Sequence, residues 1–486
     1  MSKIYVGNLN QSIIYLHEDA IDSERVDAHF YHNKFINNEK QLKKAGFDIK
    51  PLGEVISKMN SPIGWQGIPS AAYLPEGIGI PLIRVQNVSN LMLDRDTLIG
   101  VQEYIYQEQP AIQAEAEDII ITRVGSIGRV CRIPDDVSKI AMGQNLTRVK
   151  IDSRFITSEF LTIFMASKYC QLQMERFAYG GVQPSLTNKN IKQLLIPIPS
   201  SDIQDYIGNK VRRAEELRDE AKQLREEAER LITTKLGTIS FDKSKNKNYS
   251  SAFITISKVV ERIDSEYYHA RYLNIEEEIN KKSIEVKTLE EVCTKIINGK
   301  TYATSNKQGK YYNVAVGELG DWFISKNEEK CISDTVNPKY CLKRNSIIWG
   351  NAAHLAKYIG EKVNIILEGE TVIPTTEVTA IEPNEELINP YYLYMFMRSE
   401  WGYNQIQRTV KGMTAHSYPQ DISKILVPII ELSREEQEVL KNNIITSYKK
   451  DERSKELIQQ AKQDVEDLIE GNFDMSILND NSTESR

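Results

Sequence analysis

The chain has 486 residues, 41% of them hydrophobic and 27% charged, which is ordinary for globular proteins of several domains. Its 68 acidic residues outnumber its 61 basic residues. The formal net charge of −7 excludes a uniformly basic nucleic-acid binder but allows a local basic patch. The five cysteines form no CxxC pair, so the sequence predicts neither a disulfide framework nor a zinc site.

Neither export nor membrane insertion is indicated by the sequence. The longest apolar runs, such as IIIT at 119–122, are far shorter than the roughly 20 residues of a membrane span. The first residues lack the charged stretch and apolar core of a signal peptide. We therefore expect a cytoplasmic protein that does not enter a membrane.

The sequence repeats itself at about half its length. The segment Arg25–Phe35 (RVDAHFYHNKF) returns as Arg262–Tyr272 (RIDSEYYHARY), at an offset of 262 − 25 = 237. The segment Gly181–Pro199 returns as Gly412–Ile430, at an offset of 412 − 181 = 231. The chain is therefore a duplication in which the ends of each copy act as scaffold and the middle is the variable part.

Each copy of the first repeated motif contains an Asp and a His, at Asp27 and His32 and at Asp264 and His269. An acid-base or metal role would need a third ligand at helical spacing, and the sequence offers none. We therefore expect this motif to be structural and to fasten each domain to the long helices described below.

Apolar segments bounded by Gly, Pro and Asp turns predict a β-rich domain in each copy, followed by a helix. In the first copy the predicted strands are 80–88, 118–124, 127–133 and 146–151, and the predicted helix is 158–177. In the second copy the predicted strands are 311–319, 346–349, 364–367 and 375–381, and the predicted helix is 390–408.

A long helix is predicted at the end of each copy. Residues 203–231 place apolar residues at alternating spacings of four and three, interrupted only by Lys210. Residues 434–470 follow the same spacing with Ser447, Asp451 and Ser454 as interruptions. We expect the two helices to pair with each other. A helix of about 30 residues is roughly 45 Å long, so an antiparallel pair would hold the two domains somewhat more than one DNA turn apart.

The order of several motifs, found twice, carries a family resemblance. They are Leu52–Val55 (LGEV), Ile80–Val88 (IPLIRVQNV), Asp118–Gly128 and Gly181–Pro199. In this order the chain resembles, over nearly its whole length, the specificity (S) subunit of Type I restriction-modification enzymes. The second copy departs from the first at two places. Residues 350–356 (GNAAHLA) stand where the first copy has a loop that contains Arg and Gly, and 413–416 (MTAH) stand where it has 182–185 (VQPS).

The resemblance implies an α+β fold with two β-rich target recognition domains that carry small helices. The two long helices separate these domains and pack as an antiparallel coiled coil. The predicted segments are a first target recognition domain at 1–200, a central helix at 201–237, a linker at 238–251, a second target recognition domain at 252–432, a C-terminal helix at 433–472 and a disordered tail at 473–486.

The resemblance also implies a non-catalytic DNA reader without a cofactor or a metal. Each target recognition domain would recognise one half of a bipartite site on double-stranded DNA. The helices would dock two methyltransferase (M) subunits, and restriction (R) subunits would join through the methyltransferase. Because two different half-sites need two different surfaces, the departures of the second copy agree with this expectation.

Base edges are read by Arg and Lys at guanine and by Asn and Gln at adenine, whereas phosphates attract cations. Polar residues near predicted loops of the first copy are therefore candidates: Lys58, Arg84, Gln86, Asn87, Arg123, Ser126, Arg129, Gln144, Asn145, Arg148, Gln183 and Lys189. The candidates of the second copy are Lys300, Asn351, His354, Lys357, Lys411, Thr414 and His416. We expect the two half-sites to be distinguished by two differences between the copies. One is between Arg123–Gly128 and Asn351–Ala356, and the other is between Gln183 and Thr414.

Two alternatives remain open at this point. The chain could be a restriction or methylation enzyme with its own active site, but Asp135, Asp136 and Lys139 only weakly approximate a nuclease motif. Asn389–Tyr392 (NPYY) resembles the catalytic tetrapeptide of amino-methyltransferases, yet no Gly-rich loop follows a strand to hold the methyl donor. The chain could also be a scaffold that binds proteins only.

Overall fold

The computed structural model describes residues 3–8, 12–17, 27–62, 68–89, 91–95, 97–178, 184–237, 259, 262–281, 284–304, 309–325, 330–332, 335–369 and 371–480. The chain divides into unit 1, Met1–Asp219 with Asp451–Arg486, and unit 2, Glu220–Lys450. Both boundaries fall inside long helices. Each unit therefore combines a β-rich domain with part of each helix, and the predicted linker at 238–251 lies outside the described residues.

Unit 1 is built mainly on two sheets. Its strands are β1 (Lys3–Asn8), β2 (Ser12–His17), β3 (Asp48–Pro51), β4 (Ile56–Asn60), β5 (Tyr73–Leu74), β6 (Ile80–Ile83), β7 (Val88–Ser89), β8 (Leu91–Leu93), β9 (Ile99–Val101), β10 (Gln113–Ala114), β11 (Ile119–Thr122), β12 (Val130–Arg132), β13 (Ile140–Met142), β14 (Leu146–Ile151) and β15 (Leu195–Ile198). The sheet orders are β4-β14-β11-β12-β8-β7 and β10-β13-β6-β9-β5, with the separate pairs β1-β2 and β15-β3.

The helices of unit 1 include the first part of a long helix. They are α1 (Asn33–Lys44), α2 (Glu103–Glu108), α3 (Ser158–Ala166), α4 (Lys168–Phe177), α5 (Asn188–Lys192) and the first part of α6 (Ser201–Leu236).

Unit 2 repeats the plan with fewer strands. Its helices are α7 (Ala270–Lys281), α8 (Leu289–Val292), α9 (Pro390–Arg398), α10 (Glu400–Thr409), α11 (Pro419–Ile422) and the first part of α12 (Arg434–Glu470). Its strands are β16 (Val286–Thr288), β17 (Cys293–Asn298), β18 (Tyr311–Val314), β19 (Cys331–Ile332), β20 (Ile347–Gly350), β21 (Ala352–Ala353), β22 (Val363–Ile365), β23 (Val372–Pro374), β24 (Val378–Pro383), β25 (Ala415–His416) and β26 (Leu426–Pro428). A short helix, α13 (Ile477–Asp480), follows α12 and belongs to unit 1.

The duplication is visible strand by strand. The order β4-β14-β11-β12 in unit 1 corresponds to β17-β24-β20-β22 in unit 2. The parallel pair β6 and β13 corresponds to the parallel pair β18 and β23, and the antiparallel pair β3 and β15 corresponds to β16 and β26. The predicted α+β class with paired long helices is confirmed. Across the described residues, no helix is long and apolar enough to cross a membrane.

Two predicted element types were wrong in detail. The helices predicted at 158–177 and 390–408 are each two helices, because Ser167 and Ser399 adopt extended backbone angles at the break. The strands predicted at 80–88 and 311–319 end at Ile83 and Val314. A short turn follows each strand, because the side chains of Asn87 and Glu318 accept the backbone N–H groups of Arg84 and Ala315, both at 2.9 Å.

The repeated motif near the start of each copy caps a helix. His32 Nδ1 accepts the N–H of Lys34 at the start of α1, and His269 Nδ1 accepts the N–H of Arg271 at the start of α7. An arginine then fastens each motif to its own domain. Arg176 of α4 donates to the carbonyl of Phe30 at 2.9 Å, and Arg408 of α10 donates to that of Tyr267 at 3.2 Å. These residues serve the fold.

The two long helices pair antiparallel within each unit. In unit 1, Lys210 forms an ion pair with Asp464, and Ser454 Oγ donates to the carbonyl of Ala214 at 2.8 Å. In unit 2, Lys235 lies 2.7 Å from Glu436, and Asn443 donates to Glu227 at 3.0 Å. Within each unit, residues later in α6 contact residues earlier in α12. The two helices therefore run antiparallel.

The serines that interrupt the heptad pattern do not break the seam, which is the row of residues through which α6 and α12 contact each other. Ser447 and Ser454 are both buried in it. Each hydroxyl finds a carbonyl acceptor, Ser447 in its own helix at 2.9 Å and Ser454 across the pair. Because both donors are satisfied, their burial carries little penalty.

Each β-rich domain shares its core with both long helices. In unit 1, Phe160 and Phe164 of α3 belong to the same buried cluster as Ile207 of α6 and Val465 of α12. In unit 2, the buried cluster contains α9 residues together with residues of the second part of α6 and the first part of α12, such as Phe396, Ile232 and Ile444. Each fully buried side chain of this kind contributes about 1.5–3 kcal/mol, so a domain and its helix segments stabilise each other.

A buried guanidinium attaches the sheet of unit 1 to α6. Arg132 of β12 is 1% exposed and donates to Ser158 Oγ at 2.8 Å and to Glu215 of α6 at 3.1 Å. It also contacts Asp135, and Glu159 lies 3.6 Å away. Burial raises the pKa of the Glu215 carboxyl to about 7; Arg132 opposes this rise, and the other carboxylates add to it.

Unit 2 uses different chemistry at its helices. Arg398 of α9 stacks over Trp322 at 3.8 Å from the ring centroid and donates to the carbonyl of Val363 at 3.0 Å. Arg225 of α6 lies 5.7 Å from the same ring. The two copies therefore contact α6 through different side chains.

Replacing Glu215 by Gln preserves the shape of the side chain and removes its titration. Because its pKa is raised in the folded protein, the stability linked to this carboxyl is fully present below its ordinary value of 4.5 and is lost as the pH rises through about 7. Between about pH 4.5 and about pH 8, the wild-type free energy of unfolding should fall by roughly 1–3 kcal/mol relative to that of the Glu215→Gln variant.

Urea titrations at the two pH values measure this difference. The exposed neighbouring substitution Glu216→Gln is the matched control. Equal pH dependence in wild type and the Glu215→Gln variant would contradict the prediction.

Candidate nucleic-acid interface

Three segments of unit 1 meet where β11 ends. The N–H of Arg123, just after β11, donates to the carbonyl of Asn145 in the turn before β14, at 2.8 Å. The N–H of Leu186, just before α5, donates to the carbonyl of Arg123 at 3.0 Å. We call this meeting point the junction of unit 1.

Unit 2 forms the same junction with other residues. The N–H of Asn351, just after β20, donates to the carbonyl of Glu377 before β24, at 2.9 Å. The N–H of Ser417 donates to the carbonyl of Asn351, also at 2.9 Å. Arg123 and Asn351 therefore occupy equivalent backbone positions, with different side chains.

The loop that leaves the junction differs in length between the copies. In unit 1 it ends at Gly128, whose φ is +79° and whose N–H donates to the carbonyl of Thr122. In unit 2 it ends at Gly360, whose φ is +72° and whose N–H donates to the carbonyl of Gly350. The counterpart of Arg123–Gly128 is thus Asn351–Gly360, so the predicted counterpart Asn351–Ala356 was too short.

In each unit, side chains of one helix hold the loop in place by hydrogen bonds to its backbone. In unit 1, Gln171 of α4 donates to the carbonyl of Gly128 at 2.8 Å. In unit 2, Gln407 of α10 donates to the carbonyl of Ile359 at 2.6 Å, and the Tyr403 hydroxyl donates to that of Lys357 at 2.8 Å. The loops are therefore positioned by rigid elements, as recognition loops require.

The junction of unit 1 carries several of the predicted polar residues. Arg123 is half-buried, burial lowers the pKa of its guanidinium, and its Nε has no hydrogen-bond partner among the described residues. Gln144 and Asn145 are exposed in the adjacent turn. Arg84 lies beside that turn, because the N–H of Gly143 donates to the carbonyl of the preceding Ile83 at 2.7 Å.

The remaining candidates of the loop and of α5 surround this point. Ser126 is half-buried within the loop, and Arg129 is exposed directly after it. Lys189 is exposed on α5, three residues after Leu186. Gln183 lies outside the described residues. The structure thus gathers Arg84, Arg123, Ser126, Arg129, Gln144, Asn145 and Lys189 around one junction.

Four other candidates are placed differently. Asn87 is fully buried and donates to Thr97 Oγ1 at 2.7 Å. Arg148 is 5% exposed, lies 3.0 Å from Asp118 and donates to the carbonyl of Gln113. Gln86 is exposed on the turn after β6. Lys58 is exposed on β4 opposite Lys150, several residues along β14 from the junction.

In unit 2 the candidates converge through a small sheet. Strand β21 pairs with β25, with Ala352 opposite His416, which joins the loop 351–360 to the turn 411–416. His354 and Lys357 are exposed on the loop, and Thr414 is exposed on the turn. Lys411 forms a 2.7 Å ion pair with Asp421.

The two other candidates of unit 2 lie at the base of this sheet. Asn351 is buried, and its amide donates to the carbonyl of Thr376 at 3.2 Å. Lys300 is exposed beside Thr301, whose hydroxyl lies 3.1 Å from that of Thr376. Both are therefore anchored to the turn that precedes β24.

Sequence reasoning missed two sets of residues at the junction of unit 2. Thr376 and Glu377 occupy the place of Gln144 and Asn145. Their offset, 376 − 144 = 232, lies between the 237 and 231 of the repeated segments and could have identified them. The exposed apolar residues Leu355, Tyr358 and Met413 were also missed, because apolar residues in a loop carry no polar signal.

The acidic residues considered for catalysis are engaged in ion pairs. Asp135 contacts Arg132, and Asp136 lies 2.6 Å from Arg95. Lys139 lies 4.0 Å from Glu103. Within the part of the chain that the structure describes, no group of three or more His, Cys, Asp or Glu side chains could hold a metal ion.

Replacing Gly360 by Ala should disturb the loop of unit 2. The positive φ strains any side chain by about 1–2 kcal/mol, and the added Cβ would stand 2.7 Å from Ile406. We expect the free energy of unfolding, measured by urea titration, to fall by roughly 1–3 kcal/mol. The control Gly317→Ala meets nothing within 4 Å; an equal effect of both substitutions would contradict the prediction.

Comparison with known proteins shows what the chain is similar to. Residues 44–230 match the family model described as Type I restriction modification DNA specificity domain. The chain is 27% identical over 139 residues to the Type I restriction enzyme EcoBI specificity subunit of Escherichia coli, a match that covers 29% of this chain and 28% of that protein. It is 22% identical over 201 residues to the MjaX specificity subunit of Methanocaldococcus jannaschii, covering 41% and 44%.

Among solved structures, the Type I restriction-modification S subunit from M. genitalium aligns with a TM-score of 0.44 and 14% identity, over 88% of this chain and 96% of that one. The matches to the two curated relatives span less than half of their length. The family model covers the first copy, and the second copy repeats its strand order and its junction. The chain therefore matches the DNA specificity domain of Type I restriction-modification systems over residues 44–230 and is similar in sequence to their specificity subunits.

Proposed function

We propose that the chain is the sequence-specific DNA-binding subunit of a Type I restriction-modification system, in which each unit recognises one half of a bipartite target. The observation that carries this proposal is the paired junction. One backbone arrangement is built twice, with Arg123, Gln144 and Asn145 in unit 1 and Asn351, Thr376 and Glu377 in unit 2. Reading two different half-sites needs a constant frame and variable side chains.

The distribution of charge supports DNA as the ligand of the junctions. The chain is acidic overall, yet Arg84, Arg123 and Arg129 gather around the junction of unit 1. Lys300 and Lys357 are exposed around the junction of unit 2. Local cations of this kind attract phosphate and place neighbouring polar groups in a groove.

The proposed interface excludes three of the candidates as direct contacts and keeps the rest. Asn87, Arg148 and Asn351 are buried, and internal partners occupy their polar groups. Because Glu318 caps the corresponding turn of unit 2, the role of Asn87 is to shape a turn. Gln183 and its counterpart Thr414 remain proposed contacts.

We further propose that the chain has no catalytic activity and acts in the cytoplasm with partner subunits. Two alike units offer two alike surfaces, which suits two methyltransferase subunits, with restriction subunits joined through them.

Asp135 and Asp136 are engaged in ion pairs and are therefore poorly suited to bind a catalytic metal. The purified chain alone should therefore neither methylate nor cleave DNA. A gel-shift competition between specific and random duplexes separates this proposal from a scaffold that binds proteins only.

Arg123→Ala should change recognition of one half-site only. The backbone of Arg123 forms the junction of unit 1 itself, and loss of one good base contact costs about 1–3 kcal/mol of discrimination. Sequencing the methylated sites in a host that carries this chain with its methyltransferase subunit should show one half relaxed and the other intact.

The reciprocal control is Lys357→Ala, which lies on the loop of unit 2 and should affect only the other half-site. If either substitution relaxes both halves equally, the assignment of one half-site to each unit is wrong.

Adding one heptad to both long helices should lengthen the spacer between the half-sites. The insertions follow Asp219 in α6 and Lys450 in α12, the residues at which each helix passes from one unit to the other. Seven helical residues add about 10 Å, the rise of about three base pairs. The methylated sites should then keep both half-sites and gain about three base pairs between them.

The control for this experiment is the same insertion in α6 alone. It leaves α12 without matching residues, so we expect a loss of stability rather than a new spacer. An unchanged spacer after the double insertion would contradict a spacing role of the helices.

A further inference from the structure

The turn 411–416 of unit 2 presents an apolar side chain at its tip. Lys411 and His416 exchange backbone hydrogen bonds of 2.9 and 3.0 Å, which closes the turn. Gly412 has a φ of +90°, and a Cβ there would lie 3.2 Å from the carbonyl oxygen of Thr414. The turn therefore needs glycine at that position, and the next residue, Met413, is left at the tip.

Met413 is fully exposed. Its relative exposure is 106%, the highest among the large apolar side chains of the described residues. A single exposed apolar residue is common on protein surfaces. The position of Met413 is what distinguishes it, because the same turn pairs with the loop 351–360 and connects to the junction through Ser417.

Other exposed apolar side chains surround the same pair of loops. Leu355 and Tyr358 lie on the loop 351–360, and Tyr418 follows the turn. Cations accompany them: Lys357 lies 4.9 Å from the ring of Tyr358, and Lys411 lies 5.2 Å from that of Tyr418. Exposed apolar groups beside cations mark a surface for a ligand that has both charge and apolar groups.

DNA meets both requirements, because phosphates attract the cations and one base carries an apolar group in the major groove. That group is the thymine methyl, which apolar side chains contact when they read base edges. A methionine side chain is flexible and polarizable, so it can follow the shape of a methyl group at the groove floor.

We propose that Met413 is a specificity-determining residue of unit 2 that contacts the methyl group of a thymine in the half-site read by that unit. This inference rests on the proposed function. It assigns a base to one position of that half-site and an apolar contact to its recognition.

The experiment removes the methyl group and the side chain in turn. The chain is assembled with its methyltransferase subunit. Its binding is then measured to duplexes that carry the target sequence identified from the methylated sites. Each thymine of the unit 2 half-site is replaced, one at a time, by uracil, which lacks only the methyl group. For the wild-type complex, we expect uracil to weaken binding about fourfold at one position, the effect of one buried methyl-sized group.

In the Met413→Ala complex, uracil and thymine at that position should bind equally. The matched control is Leu387→Ala, an exposed apolar residue of unit 2 outside the junction, which should retain the fourfold uracil effect. An identical uracil effect in wild type and Met413→Ala, or no uracil effect at any position in wild type, overturns the inference.

The same measurements test the proposed function separately. A wild-type complex that binds the target no better than a duplex with a scrambled unit 2 half-site would contradict the proposed function itself. A complex that discriminates against the scrambled half-site, yet shows no coupling between uracil and Met413→Ala, would overturn only the thymine contact.

Discussion

The packing of each β-rich domain against both long helices is the interaction on which the rest of the structure depends. Neither long helix has an all-apolar seam of its own, since Lys210, Ser447 and Ser454 lie along it. The helices are stabilised because aromatic residues of α3 and α9 share a core with them. Without the domain, the buried residues of the helices would be exposed, and without the helices, the buried aromatic residues of the domain would be exposed.

This arrangement separates the parts of the chain that must stay constant from those that can vary. Helix caps, the arginines of α4 and α10, and the hydrogen bonds of the junctions recur in both copies. These are mostly backbone contacts or contacts to backbone, which do not depend on neighbouring side chains. The junction side chains are free to differ, so a duplicated fold can present two different surfaces without new architecture.

Sequence patterns located long elements well and short irregular ones poorly. The second long helix was predicted at 434–470, where α12 lies, and β14 was predicted at its observed bounds. The break at Ser167 was missed, because the apolar residues on both sides follow a single helical pattern. Helix periodicity reports which face is buried, and it does not report where the chain changes direction.

The sequence by itself determined the duplication, the α+β class, the pairing of the long helices and the polar composition of the loops. Only the tertiary structure decided which of those polar residues meet. It buried Asn87 and Arg148, paired the loop 351–360 with the turn 411–416, and left Met413 exposed. The physical reason is that burial and hydrogen bonding of a loop residue depend on segments distant in sequence, whereas periodicity and repetition are local or internal to the chain.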